Sequence, residues 1–399
     1  MADKKASLLT YILFLIISVW IFTPLAGAEN SDIGFLLTDK NGKPLIAENI
    51  DKPLIPASIL KIVTSLAAIS YLGENYRYQT YFYYNKQSHS LYIKGFGDPL
   101  FISEEIKKAC TLVSDRLKKE NIDFINNIVL DNSFFEKKIT IPGRSNTLNP
   151  YDAYPGALCA NFNTIFFKTD SNDHEIVSAE KQTPLLPEYR KKIIATNLKK
   201  GRITLSQKES LLYPGLLIKY FLEKNSVGVL GGITLGKITA KELPFLIYTS
   251  TFDLKMIVQN LLKYSNNFIA NQVLLTLGAR NANAPSNLHI STTAVNLFLS
   301  KNFKEMKIQY CEGSGISRQN RISSKDMIKI LIKFIPWHSL MKQDKSGFYK
   351  TGTLSRIRTR AGYITGKNNS LYPYVIMINQ KNRSYNDILL KMKKRVQSL

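Results

Sequence analysis

The chain is 399 residues long, 44% hydrophobic and 11% aromatic, with 54 basic and 30 acidic side chains for a formal net charge of +24. Such a length and apolar content exclude a disordered chain or a single small core and call for two or three domains. Three cysteines, Cys110, Cys159 and Cys311, with no pair at C-x-x-C spacing, exclude a disulfide framework, a zinc ribbon and a dithiol redox motif.

Residues 1–28 read as a secretory signal peptide: Lys4 and Lys5, an apolar run from Leu8 to Phe22, Pro24, and Ala26-Gly27-Ala28 as a cleavage site. The alternative is a retained anchor, but the run of about fifteen residues falls short of the roughly twenty a spanning helix needs. IGFLLTD and PLIAEN around Asn41-Gly42 then predict a β-hairpin. Pro56–Leu72 follows, apolar nearly all round and so a core helix. It starts with Ser58 and carries one charge, Lys61, three residues on and on the same face. Burial pulls a lysine's pKa down toward the range of a proton acceptor, and a hydroxyl beside such an amine at a helix N-terminus is an activated nucleophile in outline. By itself the S-x-x-K spacing is weak. It recurs at Ser178–Lys181 and Ser339–Lys342, and an N-cap serine beside a snorkelling lysine has the same pattern.

Residues 78–84 and 90–95 alternate as strands and end in a turn cluster, Gly95–Pro99. From 85 to 243 short strands mix with helices at Glu104–Glu120 and Gly215–Lys224. Beyond Pro244, helices at Asp253–Lys263 and Phe268–Leu277 flank a Tyr-Ser-Asn-Asn break, and a third covers Ser324–Ile335. Strands at 348–355, 359–365 and 371–379 and a helix at Tyr385–Val396 end the chain. A hairpin at one end and three strands with a helix at the other predict an α+β fold with one antiparallel sheet built from both termini. The expected division is a signal peptide (1–28), a catalytic domain in two parts (29–84 and 244–399) and inserted domains between them (85–243).

Two later motifs raise the weight of Ser58. Ser265-Asn266-Asn267 is an S-x-N on an inter-helix loop, and Lys350-Thr351-Gly352-Thr353 lies on a strand. S-x-x-K, S-x-N and K-T-G, in this order and in these settings, are the signature of penicillin-binding proteins and class A β-lactamases. More broadly, PASILKIVTSLAA, GFGDPL, IVLDNSFF, YPGALCANFNTIFF, YSNNFIANQVLL, EGSGISRQNRIS and KTGTLSRIRTRAGYI resemble peptidase family S13, the class C low-molecular-mass penicillin-binding proteins of D-Ala-D-Ala carboxypeptidase/endopeptidase type. The resemblance runs from near residue 33 to near 380. It implies a penicillin-recognising domain, an antiparallel sheet flanked by helices, interrupted by an inserted mainly-β region between S-x-x-K and S-x-N. Around 170–200 the chain looks contracted against the family pattern, so one of the usual inserted domains is expected to be reduced or missing.

The resemblance also implies the chemistry: peptidoglycan stem peptides as substrate, β-lactams as covalent inhibitors, and no cofactor. Ser58 would attack the penultimate D-alanine carbonyl, with Lys61 taking its proton; which amine serves as base is disputed for such enzymes. Ser265, near Lys350, would relay that proton to the leaving amine, and Asn267 would hold the substrate amide. Lys350 and Thr351 would bind the terminal carboxylate, and Gly352 would keep bulk off the substrate strand. Backbone N–H groups of Ser58 and Thr353 would form the oxyanion hole. Cationic Lys350 would also help keep Lys61 neutral.

Other features carry less. Four histidines (His89, His174, His289, His338) are scattered, which argues against a metal site, and no G-x-S-x-G elbow supports a Ser-His-Asp triad. Gly313-Ser314-Gly315 reads as a structural loop, Asp98 and Asp131 as turn and fold residues, and Tyr264 as core. The dispersed positive charge lacks any aromatic-studded motif, so nucleic acid is not the expected partner. An anionic envelope surface fits it, as does a lysine-rich composition with no partner at all. A β-lactamase or esterase on the same scaffold, or a wall-binding scaffold that has lost catalysis, are the competing functions.

Overall fold

The computed structural model describes residues 32–170, 175–239 and 243–399. The expected signal peptide, residues 1–28, and His174 lie outside them. Asn41-Gly42 makes the predicted hairpin: the Asp39 carboxylate accepts from the Asn41 and Lys43 N–H groups at 2.9 and 2.8 Å, and Gly42 takes φ +88°.

Both termini build one antiparallel sheet. Its six strands lie in the order Lys342–Asp344, Gly347–Leu354, Ile357–Thr365, Leu371–Ile378, Ile33–Thr38, Pro44–Glu48. Ile33 pairs with Ile378 and Leu37 with Tyr374, joining the first strand to the last. All of Ile33–Thr38 is buried because both faces of the sheet are covered. Leu36 faces a core shared with the helices Lys61–Leu72, Leu254–Tyr264, Asn267–Ala282, Leu288–Asn302 and Ser324–Phe334. Ile33, Phe35 and Leu37 face the C-terminal helix, Asn386–Gln397, through Leu389, Met392 and Val396.

Several elements are additions to the sequence reading, among them the strand Leu246–Asp253, the short helix Arg190–Ile194 where a strand was expected, and the two that follow. The helix Leu288–Asn302 is rich in Ser, Thr and Asn, and its buried positions, Ser291, Ala294, Val295, Phe298 and Leu299, keep the i, i+3, i+4 spacing with small residues in the first half. The edge strand Lys342–Asp344 is three residues long. It pairs only with Gly347–Tyr349.

A second, five-stranded sheet has the order Ile233–Leu235, Ile128–Asp131, Ser90–Gly95, Arg77–Asn85, Leu246–Asp253. Arg77–Asn85 and Leu246–Asp253 pair with each other, so this sheet draws a strand from the chain on each side of 85–243. Helices Ser103–Lys119 and Gln207–Lys224 pack on it through Ile106, Val113, Leu217 and Phe221. The second helix runs straight through Pro214 and so begins earlier than the proline suggested. A capping box between Ser206 and Glu209 starts it. A small antiparallel sheet (Ile176–Ser178, Thr164–Thr169, Lys200–Thr204) completes this region. No helix among the described residues is long and apolar enough to cross a membrane.

Candidate active site

Ser58 belongs to a 3₁₀ turn, Ala57–Leu60, that feeds directly into the α-helix Lys61–Leu72. It is not an N-cap, because neither turn nor helix has a side-chain cap. Two neighbours fix the approach to this turn. Asn379 grips both backbone groups of Ile55, at 2.8 and 3.2 Å, and the Thr359 hydroxyl donates to the Pro56 carbonyl at 2.7 Å. Ala57 adopts φ +49°. The helix is apolar and buried from Lys61 to Ile69, which leaves the Lys61 side chain no route to solvent.

Lys61 is 0% exposed. Its Nζ lies 2.9 Å from Ser58 Oγ, 2.7 Å from Asn267 Oδ1 and 2.6 Å from the Ser314 carbonyl oxygen. Two of these partners, the amide and backbone oxygens, can only accept. The third is a hydroxyl that can donate. A neutral amine has two N–H bonds and one lone pair, so this geometry turns the lone pair toward the Ser58 O–H. Burial lowers the Lys61 pKa well below the ordinary lysine value, the charge of Lys350 lowers it further, and the Glu312 carboxylate opposes the shift.

The S-x-N motif joins two helices. Ser265 ends Leu254–Tyr264 in a left-handed conformation (φ +58°), and Asn266 caps Asn267–Ala282 by accepting from the Ile269 N–H at 3.1 Å. That sharp reversal aims Ser265 and Asn267 at different lysines. Ser265 Oγ accepts from Lys350 Nζ at 2.7 Å, while Asn267 reaches Lys61. Lys350 is 2% exposed and also donates to the Thr351 carbonyl at 2.7 Å. Burial, then the nearby Lys342 charge, brings its pKa down to about 7.

From Lys350 to Leu354 the K-T-G strand is paired on one side only, with Arg360 opposite Thr351 and Arg358 opposite Thr353. Pairing on its other edge stops at Tyr349, which leaves an open strand edge beside the Ser58 turn. Gly352 was expected to clear space for substrate. The structure shows a further reason for a glycine: a Cβ there would sit 2.3 Å from Thr359 Oγ1 and 2.7 Å from the Ser58 nitrogen. The missing side chain lets the strand close on the Ser58 amide.

Residues the sequence reading set aside also enter the site. The Gly313-Ser314-Gly315 loop is structural, and it also supplies the carbonyl that Lys61 donates to. Its fold rests on Glu312, a buried carboxylate taking donors from Ser314, Gly315, Ser317, Asn271 and Asn320. A carboxylate directly before Gly-Ser-Gly was the available signal. Tyr264, expected in the core, is 68% exposed, and the Lys263 ammonium lies 5.7 Å from its ring centre. Asp98 and Asp131 accept from nearby backbone N–H groups, Leu100 for the first, Ser133 and Ile238 for the second. Lys181 and Lys342, the lysines of the two decoy spacings, are exposed. The three cysteines are unbridged, two of them buried.

A search of curated proteins finds no match. Among solved structures, penicillin binding protein 4 (dacB) from Haemophilus influenzae superposes with a TM-score of 0.74 at 17% identity, covering 93% of this chain and 96% of that one. Bd3459, a predatory peptidoglycan endopeptidase from Bdellovibrio bacteriovorus, superposes with a TM-score of 0.52 at 18% identity, covering 92% and 91%. Its penicillin G-acylated form, in complex with immunity protein Bd3460, gives 0.51 at 17% over the same shares. At these identities the likeness is one of fold. The sequence itself matches the pattern of a peptidase family over residues 25–192 and 191–343, most of its length. The chain belongs to the D-Ala-D-Ala carboxypeptidase 3 (S13) family.

Proposed function

We propose that this protein is a serine DD-peptidase that removes the terminal D-alanine of peptidoglycan stem peptides, and cuts the related cross-link bond, through an acyl-enzyme on Ser58. The observation that carries this reading is the partner set of Lys61: two obligate acceptors and the Ser58 hydroxyl. The substrate adds along the open edge of Lys350–Leu354, its terminal carboxylate held by Lys350 and Thr351. Its scissile carbonyl points between the N–H groups of Ser58 and Thr353. Ser58 Oγ attacks that carbonyl as its proton passes to Lys61. A proton then reaches the leaving amine by way of Ser265, whose hydroxyl is held by Lys350, and D-alanine departs. Water attacks the ester and regenerates Ser58. One backbone donor to the developing oxyanion contributes about 3–4 kcal/mol to such a step, hence the close approach of Gly352 to the Ser58 amide.

The finer assignments follow from the sequence. Residues 1–28 export the chain, which acts in the periplasm or on the outer face of the envelope. Parts 29–84 and 244–399 hold the catalytic domain and 85–243 is inserted between them, with the strands Arg77–Asn85 and Leu246–Asp253 at the junctions joining the inserted sheet. The decisive experiment is the intact mass of the protein after brief incubation with benzylpenicillin, with release of D-alanine from a pentapeptide assayed in parallel. A gain of one penicilloyl group that is absent in Ser58→Ala is expected. Penicillin turnover without an adduct would instead favour a β-lactamase, and neither adduct nor turnover a scaffold.

A further inference from the structure

Past Thr353 the substrate strand ends in a turn, Ser355-Arg356, and there a groove of about 820 Å³ opens between this turn and the loop after strand Leu371–Ile378. Arg356 and Arg358 line one wall, Lys381 and Arg383 the other. No acidic residue lines it, and none of the four makes an ion pair among the described residues. Arg358 is steadied by the Leu354 and Ile357 carbonyls at 3.1 and 3.0 Å. Four cations held around one concave surface repel each other and favour an anion. The groove lies beyond the Thr353 end of the proposed substrate path. If Lys350 and Thr351 hold the terminal carboxylate and Thr353 the scissile carbonyl, the rest of the stem peptide runs on toward Ser355. The groove lies on the sheet face that carries the C-terminal helix, since Arg358 pairs with Ile378 and Ile378 packs with that helix. A short peptide ends before reaching it.

We propose that this groove is an exosite for the carboxylates of the peptidoglycan polymer, engaging stem peptides beyond the one being cut. The inference rests on the DD-peptidase reading. A concave, polar lining with a single aromatic, Tyr385, matches a chain of carboxylates better than a flat lipid surface, which takes exposed apolar side chains among its cations.

The test uses the mature protein and a triple variant, Arg356→Glu with Lys381→Glu and Arg383→Glu. Co-sedimentation with purified sacculi and turnover of those sacculi should each fall about tenfold in the variant at low salt. Acylation by benzylpenicillin and turnover of a soluble pentapeptide should be unchanged, which also shows that the variant is folded. Wild-type binding should weaken as salt rises, and sacculi whose carboxylates have been amidated should bind wild type and variant alike. Equal loss on sacculi and soluble peptide, or no loss on sacculi, would overturn the exosite. So would a charge-dependent difference seen only with vesicles of anionic phospholipid. Absence of any penicilloyl adduct in the wild type would remove the DD-peptidase reading, while the co-sedimentation arm would still report on the groove.

Discussion

Glu312→Gln is the perturbation that separates a folded loop from a working one. Glu312 Oε2 accepts from the Ser314 N–H and hydroxyl, both at 2.7 Å, and from Asn271 Nδ2 at 3.3 Å. Oε1 accepts from the Gly315 N–H at 2.7 Å, Asn320 Nδ2 at 2.9 Å and the Ser317 N–H at 3.3 Å. A glutamine must place its NH₂ on one of these sides. The Ser314 hydroxyl can turn and accept, but the backbone N–H groups cannot. Asn271 is also committed, because its Oδ1 takes the Gly313 N–H at 2.8 Å. At least two buried donors therefore lose their acceptor, at about 1–3 kcal/mol each, for a total of about 2–6 kcal/mol. The loop carrying the Ser314 carbonyl then loses its anchor beside Lys61. Thermal unfolding and the rate of benzylpenicillin acylation against pH would be measured together. The melting temperature should fall by several degrees and acylation should slow by about tenfold or more, with Glu312→Asp recovering part of both. The acid limb of acylation should move to lower pH, because the carboxylate that holds the Lys61 pKa up is gone. Wild-type melting and acylation in Glu312→Gln would refute the reasoning, as would an acid limb displaced upward.

Lys350, with its pKa near 7, should give kcat/KM for a peptide a basic limb close to that pH as the carboxylate anchor loses its charge; Lys350→Arg should move the limb upward. A wild-type profile flat from pH 6 to 9 would count against this role. The same lysine links stability to pH. Its folded pKa of about 7 lies below the ordinary unfolded value, so between the two the unfolded chain holds a proton that the native one has lost. Stability should therefore rise with pH above about 7, and Lys350→Met should flatten that rise in urea titrations. Gly352→Ala should leave the protein folded but cut penicillin acylation by about a hundredfold, as an ångström-scale shift of a reacting group does. Acylation within a few-fold of wild type would show that the Ser58 amide tolerates the displacement.

The fold could be read where residue pattern and element type coincide. The hairpin was legible from its Asn-Gly turn, the helix after Pro56 from its continuous apolar run and the C-terminal strands from their short apolar segments between turns, and the sheet follows from the positions of its strands at the two ends. The helix Leu288–Asn302 could not be read this way, since the first half of its buried face is Ser291, Ala294 and Val295, with large apolar residues only at Phe298 and Leu299. Within the site, side-chain motifs were legible because short spacings on known element types restrict geometry. Backbone contributions were not. The Ser314 carbonyl and the closeness of Gly352 to the Ser58 nitrogen arise between segments far apart in sequence; the first needs no particular side chain, and the glycine of the second does not say which backbone it approaches. Glu312 was missed for a related reason: a lone glutamate looks solvated until the loop that wraps it is seen.

The two serines proposed to carry the chemistry share a backbone feature. Ala57, directly before Ser58, has φ +49°, and Ser265 itself has φ +58°, both in a region that costs a non-glycine residue about 1–2 kcal/mol. Such conformations persist only where the surroundings over-determine them. At Ala57 the constraints are visible: the Thr359 hydroxyl holds the Pro56 carbonyl, and a Cβ on Gly315 would sit 1.9 Å from the Ala57 oxygen. Gly352 closes from the third side. Gly315 and Gly352 thus converge on the Ala57–Ser58 peptide while Thr359 holds the peptide before it, and the helix behind is locked in the main core through Ile59, Ile62, Val63 and Leu66. The strain is offset by burial elsewhere in the helix, and it aims the Ser58 amide before substrate arrives. If that amide serves as the proposed oxyanion donor, it needs no reorganisation in the transition state. On this view the glycines of the K-T-G and Gly-Ser-Gly segments act by letting backbones approach, and the lysines act because that approach shuts out water.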